Sequence, residues 1–176
     1  MMTLFFDVDT QVDFLRPSGA LYVPGAESIV PSVAALNRWA KANGIPLIST
    51  ADCHAESDPE FQVWPPHCIG GTLGQRKPDE TMVGQIVLNK TTLDCFEAPE
   101  LAGLLADSGA ERCVVYGVVA EICVRLAAFG LLKTGRRVEI VTDAVKELHA
   151  GEAARVFGEF TAAGGVLTTV AQATAR

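Results

Sequence analysis

The sequence predicts an α/β protein, a Rossmann-like three-layer α/β/α fold around a mostly parallel sheet of about six strands. Three observations lead there. Short apolar runs alternate with stretches of helical periodicity along the whole chain. The runs are apolar throughout rather than alternating, as in strands covered on both faces. The chemically distinctive residues fall just after those runs, where open parallel sheets bind ligands.

In order, Leu4 to Val8 reads as the first strand. Ile29, Val30, Val33, Leu36 and Ala40 recur at helical spacing, with Pro31 in the first turn and Gly44 just past the end. Pro46 to Thr50 is the second strand, and residues 52–84, rich in proline and glycine, form a long loop of the kind that carries function. Ile86 to Asn89 is the third strand, Ala98 to Ala106 a short helix, and Arg112 to Gly117 the fourth strand. A helix from about Glu121 to Lys133, a fifth strand from Val138 to Thr142, a helix faced by Ala153, Val156, Phe157 and Phe160 and stopped by Gly164-Gly165, and a last strand from Val166 to Val170 complete the series.

The 176 residues, 49% hydrophobic and 20% charged, fit one domain spanning 1–176. No apolar run approaches the roughly 18 residues of a membrane span. The N-terminus has no basic region before its apolar residues, so a cytoplasmic location is expected. A net charge of −7 without a basic stripe argues against a nucleic-acid partner. Five cysteines without a CxxC pair point to free thiols in a reducing compartment.

Two of the three histidines lie in the long loop. Asp52 and His54, two apart on an extended segment, can face one side, and Glu60 and His67 return through the loop. Such a His₂-carboxylate set with open positions suits a divalent metal, Zn²⁺, Fe²⁺ or Mn²⁺. The same residues equally suit a solvated acidic loop with His67 packed under Trp64, and Glu56 or Asp58 could replace Glu60. Cys123 follows a strand and a tight turn, at the expected first turn of a helix, where a thiolate is stabilised and free N–H groups can hold an oxyanion. The alternative is a buried structural cysteine. Asp9 and Lys90 end strands expected to be neighbours and could flank Cys123 as base and cation. Spacing places Asp7 on the same face as Asp9 and does not say which is the base. Lys90 taken alone also suits a surface strand end. Phe14 and Trp64 could clamp a flat ligand or belong to the core. His149 reads as a surface residue.

These segments resemble the isochorismatase-like cysteine hydrolase superfamily, most closely its nicotinamidase branch. Val8-Asp9-Thr10-Gln11-Val12-Asp13-Phe14 resembles the motif V-D-x-Q-x-D-F, and Asp52-Cys53-His54 the motif D-x-H. Trp64-Pro65-Pro66-His67-Cys68 with Gly71-Thr72 resembles W-P-x-H-C-x-x-G-T, and Gly117 to Val124 resembles G-V-A-T-D-x-C-V. Lys90 and Asp143-Ala144 also match. The resemblance implies Asp9 as base, Cys123 as nucleophile and Lys90 as third catalytic member. It implies Asp52, His54, His67 and Glu60 as ligands of a divalent metal such as zinc. It also implies a cis peptide at Val118-Val119 that aims the N–H groups of Val119 and Cys123 at an oxyanion. The expected reaction is hydrolysis of a small amide, nicotinamide first, with another N-carbamoyl or ureido amide or a non-catalytic binding role as alternatives. Relatives are commonly homo-oligomers. Departures are Val119 for the usual Ala, Ala120 for Thr, Glu121 for Asp, Asp7 for an apolar residue, and the missing tyrosine after Lys90.

Overall fold

Six parallel strands form one sheet in the order β3-β2-β1-β4-β5-β6. The structure, a computed structural model, describes residues 1–175. The strands are β1 Thr3–Val8, β2 Leu47–Asp52, β3 Ile86–Lys90, β4 Arg112–Val118, β5 Arg137–Lys146 and β6 Val166–Thr168. The helices are α1 Val12–Leu15, α2 Val30–Ala42, α3 Glu100–Ser108, α4 Arg125–Lys133, α5 Glu152–Ala162 and α6 Val170–Ala173. α2 and α6 pack on one face, α4 and α5 on the other. The expected α/β/α class is what the chain adopts.

The central strands owe their place to composition. Leu4, Phe5, Phe6 and Val8 of β1 and Cys113, Val114, Val115 and Tyr116 of β4 are buried, so neither strand tolerates an exposed face. α2 buries Val30, Val33, Ala34, Leu36 and Ala40 as one stripe and ends before Gly44 at φ 64°. α5 buries Val156 and Phe160, and Gly165 lets the chain turn back under Phe160, whose ring lies 2.2 Å from where a Cβ would sit. Gly117 is needed where β4 meets β1: its φ is 122° and a Cβ would lie 2.0 Å from the Val8 carbonyl oxygen.

Several expectations are corrected. β2 lies between β1 and β3, so Asp9 and Lys90 do not end neighbouring strands. Asp52 and Lys90 are the last residues of β2 and β3, paired in register. β5 runs on to Lys146, and the last strand stops at Thr168, where α6 begins its own cap. α4 starts only at Arg125, because Ala120–Val124 form a π-helical turn. The long loop is pinned by a bridge between His54 and Ile69. Among the described residues, no helix is long and apolar enough to cross a membrane.

Candidate active site

Asp9, just beyond β1, is the pivot. Its backbone takes a left-handed φ of 48°, which breaks strand alternation and turns the side chain away from the face used by Asp7. The two carboxylates therefore do not share a face, contrary to the spacing argument. Asp9 Oδ1 accepts a hydrogen bond from Thr50 Oγ1 at 2.6 Å, and Oδ2 lies 2.9 Å from Lys90 Nζ. Lys90 reaches this point across the end of β2. Its ammonium also contacts Asp52 Oδ1, donates to the Thr92 carbonyl at 3.1 Å and lies 4.0 Å from Cys123 Sγ. Burial alone pulls the Lys90 pKa down, but the neighbouring Asp9, Cys123 and Asp52 charges outweigh it and hold the amine well above its ordinary value. Lys90 is a buried cation rather than a surface strand-end lysine.

Cys123 lies in the π-helical turn, 7% exposed, on a cavity shared with Asp9. π-helical turns often mark functional sites. The turn that carries Cys123 is π-helical rather than the expected first turn of an α-helix. Burial pushes the thiol well up, Lys90 opposes this, and the Asp9 and Asp52 charges add to it. Asp9 lines the same cavity. The Val118–Val119 peptide is cis, as the resemblance implies.

Asp52, His54 and His67 offer ligand atoms that all lie within 4.8 Å of one another, and all three residues are buried. His54 Nδ1 is 3.0 Å from Asp58 Oδ2, and His67 Nδ1 donates to the Pro65 carbonyl at 2.8 Å, which leaves both Nε2 atoms facing inward as acceptors. His54 Nε2 is buried without a hydrogen-bond partner, 4.0 Å from Asp52 Oδ2. Asp52 thus divides its oxygens between Lys90 and the imidazoles. Burial first, then the Asp9 charge, raises its pKa to about 7, and burial lowers that of His67. An orphaned imidazole acceptor beside a carboxylate and a second oriented imidazole fits a divalent cation. Glu60 lies outside that mutual 4.8 Å group but close to it, with Oε1 3.8 Å from His67 Nε2, and lines the same cavity.

Phe14 and Trp64 both line the cavity, with Leu21, Val23, Leu93, Val119, Ile122 and Leu148. The sequence reading left several supporting residues without a role. Asp58 orients His54 instead of competing as a ligand. Phe61 packs its ring 5.5 Å from that of His54 and 5.7 Å from that of His67. Gln11 accepts from the Asp52 N–H at 2.7 Å and donates to the Asp52 and Gln75 carbonyls, tying β2 to the loop. Asp13 accepts from the Cys68 N–H at 2.7 Å, beside His67. Gly74 must be glycine here, since a Cβ would lie 2.2 Å from the Asp13 carboxylate. Gln11 and Asp13 were visible as polar residues just past an apolar strand, the signal that could have marked them. His149, 72% exposed at its side chain, is at the surface as expected. Cys113 is structural, buried in β4 with its pKa pushed up to about 11.

An isochorismatase domain model matches residues 3–172. A pyrazinamidase of Pyrococcus horikoshii, solved in complex with zinc, superposes with a TM-score of 0.90 at 30% identity, over 96% of this chain and 99% of that one. A nicotinamidase of Acinetobacter baylyi is 26% identical over 175 residues, covering 80% of this chain and 79% of its own. A protein of Arabidopsis thaliana named a probable inactive nicotinamidase is 26% identical over 155 residues, covering 81% and 79%. With the fold, the thiol-carboxylate-ammonium cluster and the family match in agreement, the chain belongs to the isochorismatase domain family.

Proposed function

We propose that this chain, as a single domain, is a metal-dependent cysteine amidohydrolase that converts nicotinamide and water to nicotinate and ammonia through a thioester on Cys123. The observation that carries the reading is the meeting of Cys123, Asp9 and Lys90 beside three buried metal donors on one small, largely apolar cavity. Asp52, His54 and His67 would hold a divalent cation such as zinc, with Glu60 near enough to complete the set. When bound, that cation supplies a positive anchor for a lone pair such as that of a pyridine nitrogen. Phe14 and Trp64 offer aromatic surface to a flat ring.

Asp9 takes the proton of the Cys123 thiol, and the thiolate attacks the carboxamide carbon. Lys90 keeps Asp9 ionised and offsets the negative charge formed on sulfur. The N–H groups of Val119 and Cys123 stabilise the tetrahedral oxyanion. Asp9 then gives its proton to the departing nitrogen, ammonia leaves, and a thioester remains. Asp9 next takes a proton from water, the hydroxide equivalent attacks the thioester, and nicotinate leaves as the proton returns to sulfur.

Among the described residues, no Lys or Arg side chain lines the cavity, and Lys90 lies against its Asp9 and Asp52. The non-catalytic alternative has the Arabidopsis relative's name and the substitutions at 119–121 in its support. Ammonia release from nicotinamide decides between them. The expectation is turnover by zinc-loaded protein that chelation abolishes and zinc restores. No release from protein proven to hold metal would defeat the nicotinamidase reading.

A further inference from the structure

We propose that Leu148 is a cavity wall that limits the size of the amide admitted, and that Glu121 is the residue that positions it. This rests on the reading of that cavity as the substrate site. Leu148 lies in the turn between β5 and α5, far along the chain from the nucleophile, yet lines the cavity with Val119, Ile122 and Cys123. The turn's own backbone bonds, from the Glu152 N–H to the His149 carbonyl at 3.1 Å and from the Arg155 N–H to the Gly151 carbonyl at 3.2 Å, lie beyond Leu148. Leu148 itself is held by a carboxylate. Glu121, two residues before Cys123, accepts at Oε1 from the N–H of Leu148 at 3.1 Å and of His149 at 2.9 Å, and its Oε2 is 3.2 Å from the same Leu148 nitrogen. His149 Nδ1 adds a contact of 3.2 Å from the exposed side. The Glu121 side chain is only 8% exposed, so these bonds are sheltered from competing water. At the far end of the turn, Glu147 Oε2 accepts from the Ala153 N–H at 2.6 Å and caps α5.

The turn is thus moored at both ends, and its one large apolar side chain is held against the nucleophile's own turn. β4 and β5 reinforce the arrangement, since Val118 and Lys146 pair in register at the point where both chains leave the sheet. A wall fixed to the residue pair that carries the thiol cannot drift from it, so it discriminates by size rather than by induced closure. The wall is apolar, as are Leu21, Val23 and Leu93 on the same cavity, so the class admitted is small with an apolar body. One or two excess carbons in such a pocket shift selectivity by about 10–200-fold.

The test reads access to Cys123 and needs no knowledge of the physiological substrate. Zinc-loaded protein is alkylated with iodoacetamide or with the bulkier N-phenyliodoacetamide, and the rate at Cys123 is followed by peptide mass spectrometry, which separates it from the other four cysteines. Leu148→Ala should raise the bulky-to-small rate ratio at least about tenfold. Glu121→Ala should raise it similarly, whereas Glu121→Gln, whose amide oxygen still accepts both N–H groups, and His149→Ala, which removes only the ring contact, should stay within about twofold of the parent. An unchanged ratio in Leu148→Ala overturns the wall. A raised ratio in Leu148→Ala with an unchanged ratio in folded Glu121→Ala, or with an equal rise in Glu121→Gln, overturns the positioning role. A parent that fails to release ammonia from nicotinamide while the ratios shift as stated defeats the nicotinamidase reading and leaves this one standing.

Discussion

Two buried carboxylate-lysine pairs stand two residues apart on the chain and do opposite work. Asp7 in β1 is fully buried, 3.2 Å from Lys77 Nζ. It also accepts from Thr10 Oγ1 at 2.7 Å, Ser49 Oγ at 2.8 Å and Asn37 Nδ2 at 3.1 Å, and Asn37 in turn accepts from the Tyr116 hydroxyl at 2.6 Å. Four fixed partners converge on Asp7, Thr10 at Oδ1 and Ser49, Asn37 and Lys77 at Oδ2, and Lys77 ties the long loop to the sheet. Asp9 has fewer donors, shares its lysine with a second carboxylate, and opens on a cavity beside a thiol. A saturated buried charge holds the fold, whereas an undersaturated one facing a cavity is available for proton transfer.

The sharpest way to break this contrast is to remove the groups one at a time. Cys123→Ala should reduce ammonia release to the blank while zinc content, measured by atomic absorption, stays that of the parent. Asp9→Asn should lower kcat by about 10²–10⁴. Its urea midpoint should barely move, because deleting one of two carboxylates that share an ammonium relieves repulsion on Asp52. Asp7→Asn should do the reverse. It leaves Lys77 buried without a counter-charge and should cost about 3–5 kcal/mol by urea unfolding, much of it recovered in Asp7→Asn/Lys77→Met, with kcat of the folded fraction near the parent value. A large kcat loss in folded Asp7→Asn would erase the distinction.

The metal donors sharpen the comparison, since Asp52 belongs to both the Lys90 cluster and the imidazole group. Asp58→Ala should weaken zinc affinity about 10–100-fold in a competition titration and spare kcat at saturating zinc, because Asp58 only orients His54. The smallest effect is the pH dependence. The Asp52 pKa is raised to about 7, so below that pH a proton competes with the metal. Zinc affinity should fall by about tenfold per unit as pH drops below about 7 and, as far as Asp52 is concerned, level off above it. In the metal-free protein the raised value has the opposite consequence for folding. Its stabilisation is present in full below the ordinary carboxylate value of 3.8 and is lost as pH rises through about 7. Calorimetry of metal-free protein between pH 5 and 8 should show that decline, and zinc should reverse it.

Periodicity made the sheet and the main helices legible, because apolar runs covered on both faces leave little freedom in where they pack. Boundaries failed where side-chain chemistry overrides pattern. β5 continues through Asp143, an apparent turn residue whose carboxylate instead accepts from the Val170 N–H that opens α6. The turn that carries Cys123 reads as an α-helix from its apolar spacing, and nothing in that spacing signals a π-helical start. The metal donors and the thiol could be proposed from residue type, yet their coupling could not: Lys90 reaches Asp9 across an intervening strand, and the left-handed backbone of Asp9 hides the true face of its carboxylate. The setting of Cys123 was equally hidden, because helix position is local, whereas the burial and two nearby carboxylates that push its thiol up are products of the tertiary fold.

The most direct test of the account is whether an acyl group passes through Cys123. Zinc-loaded protein mixed with nicotinamide, quenched in acid during turnover and digested, should yield a Cys123 peptide carrying a nicotinoyl mass, absent in Cys123→Ala and in chelated protein. Ammonia release that continues at full rate in Cys123→Ala, or a nicotinoyl adduct found on another residue, would contradict it.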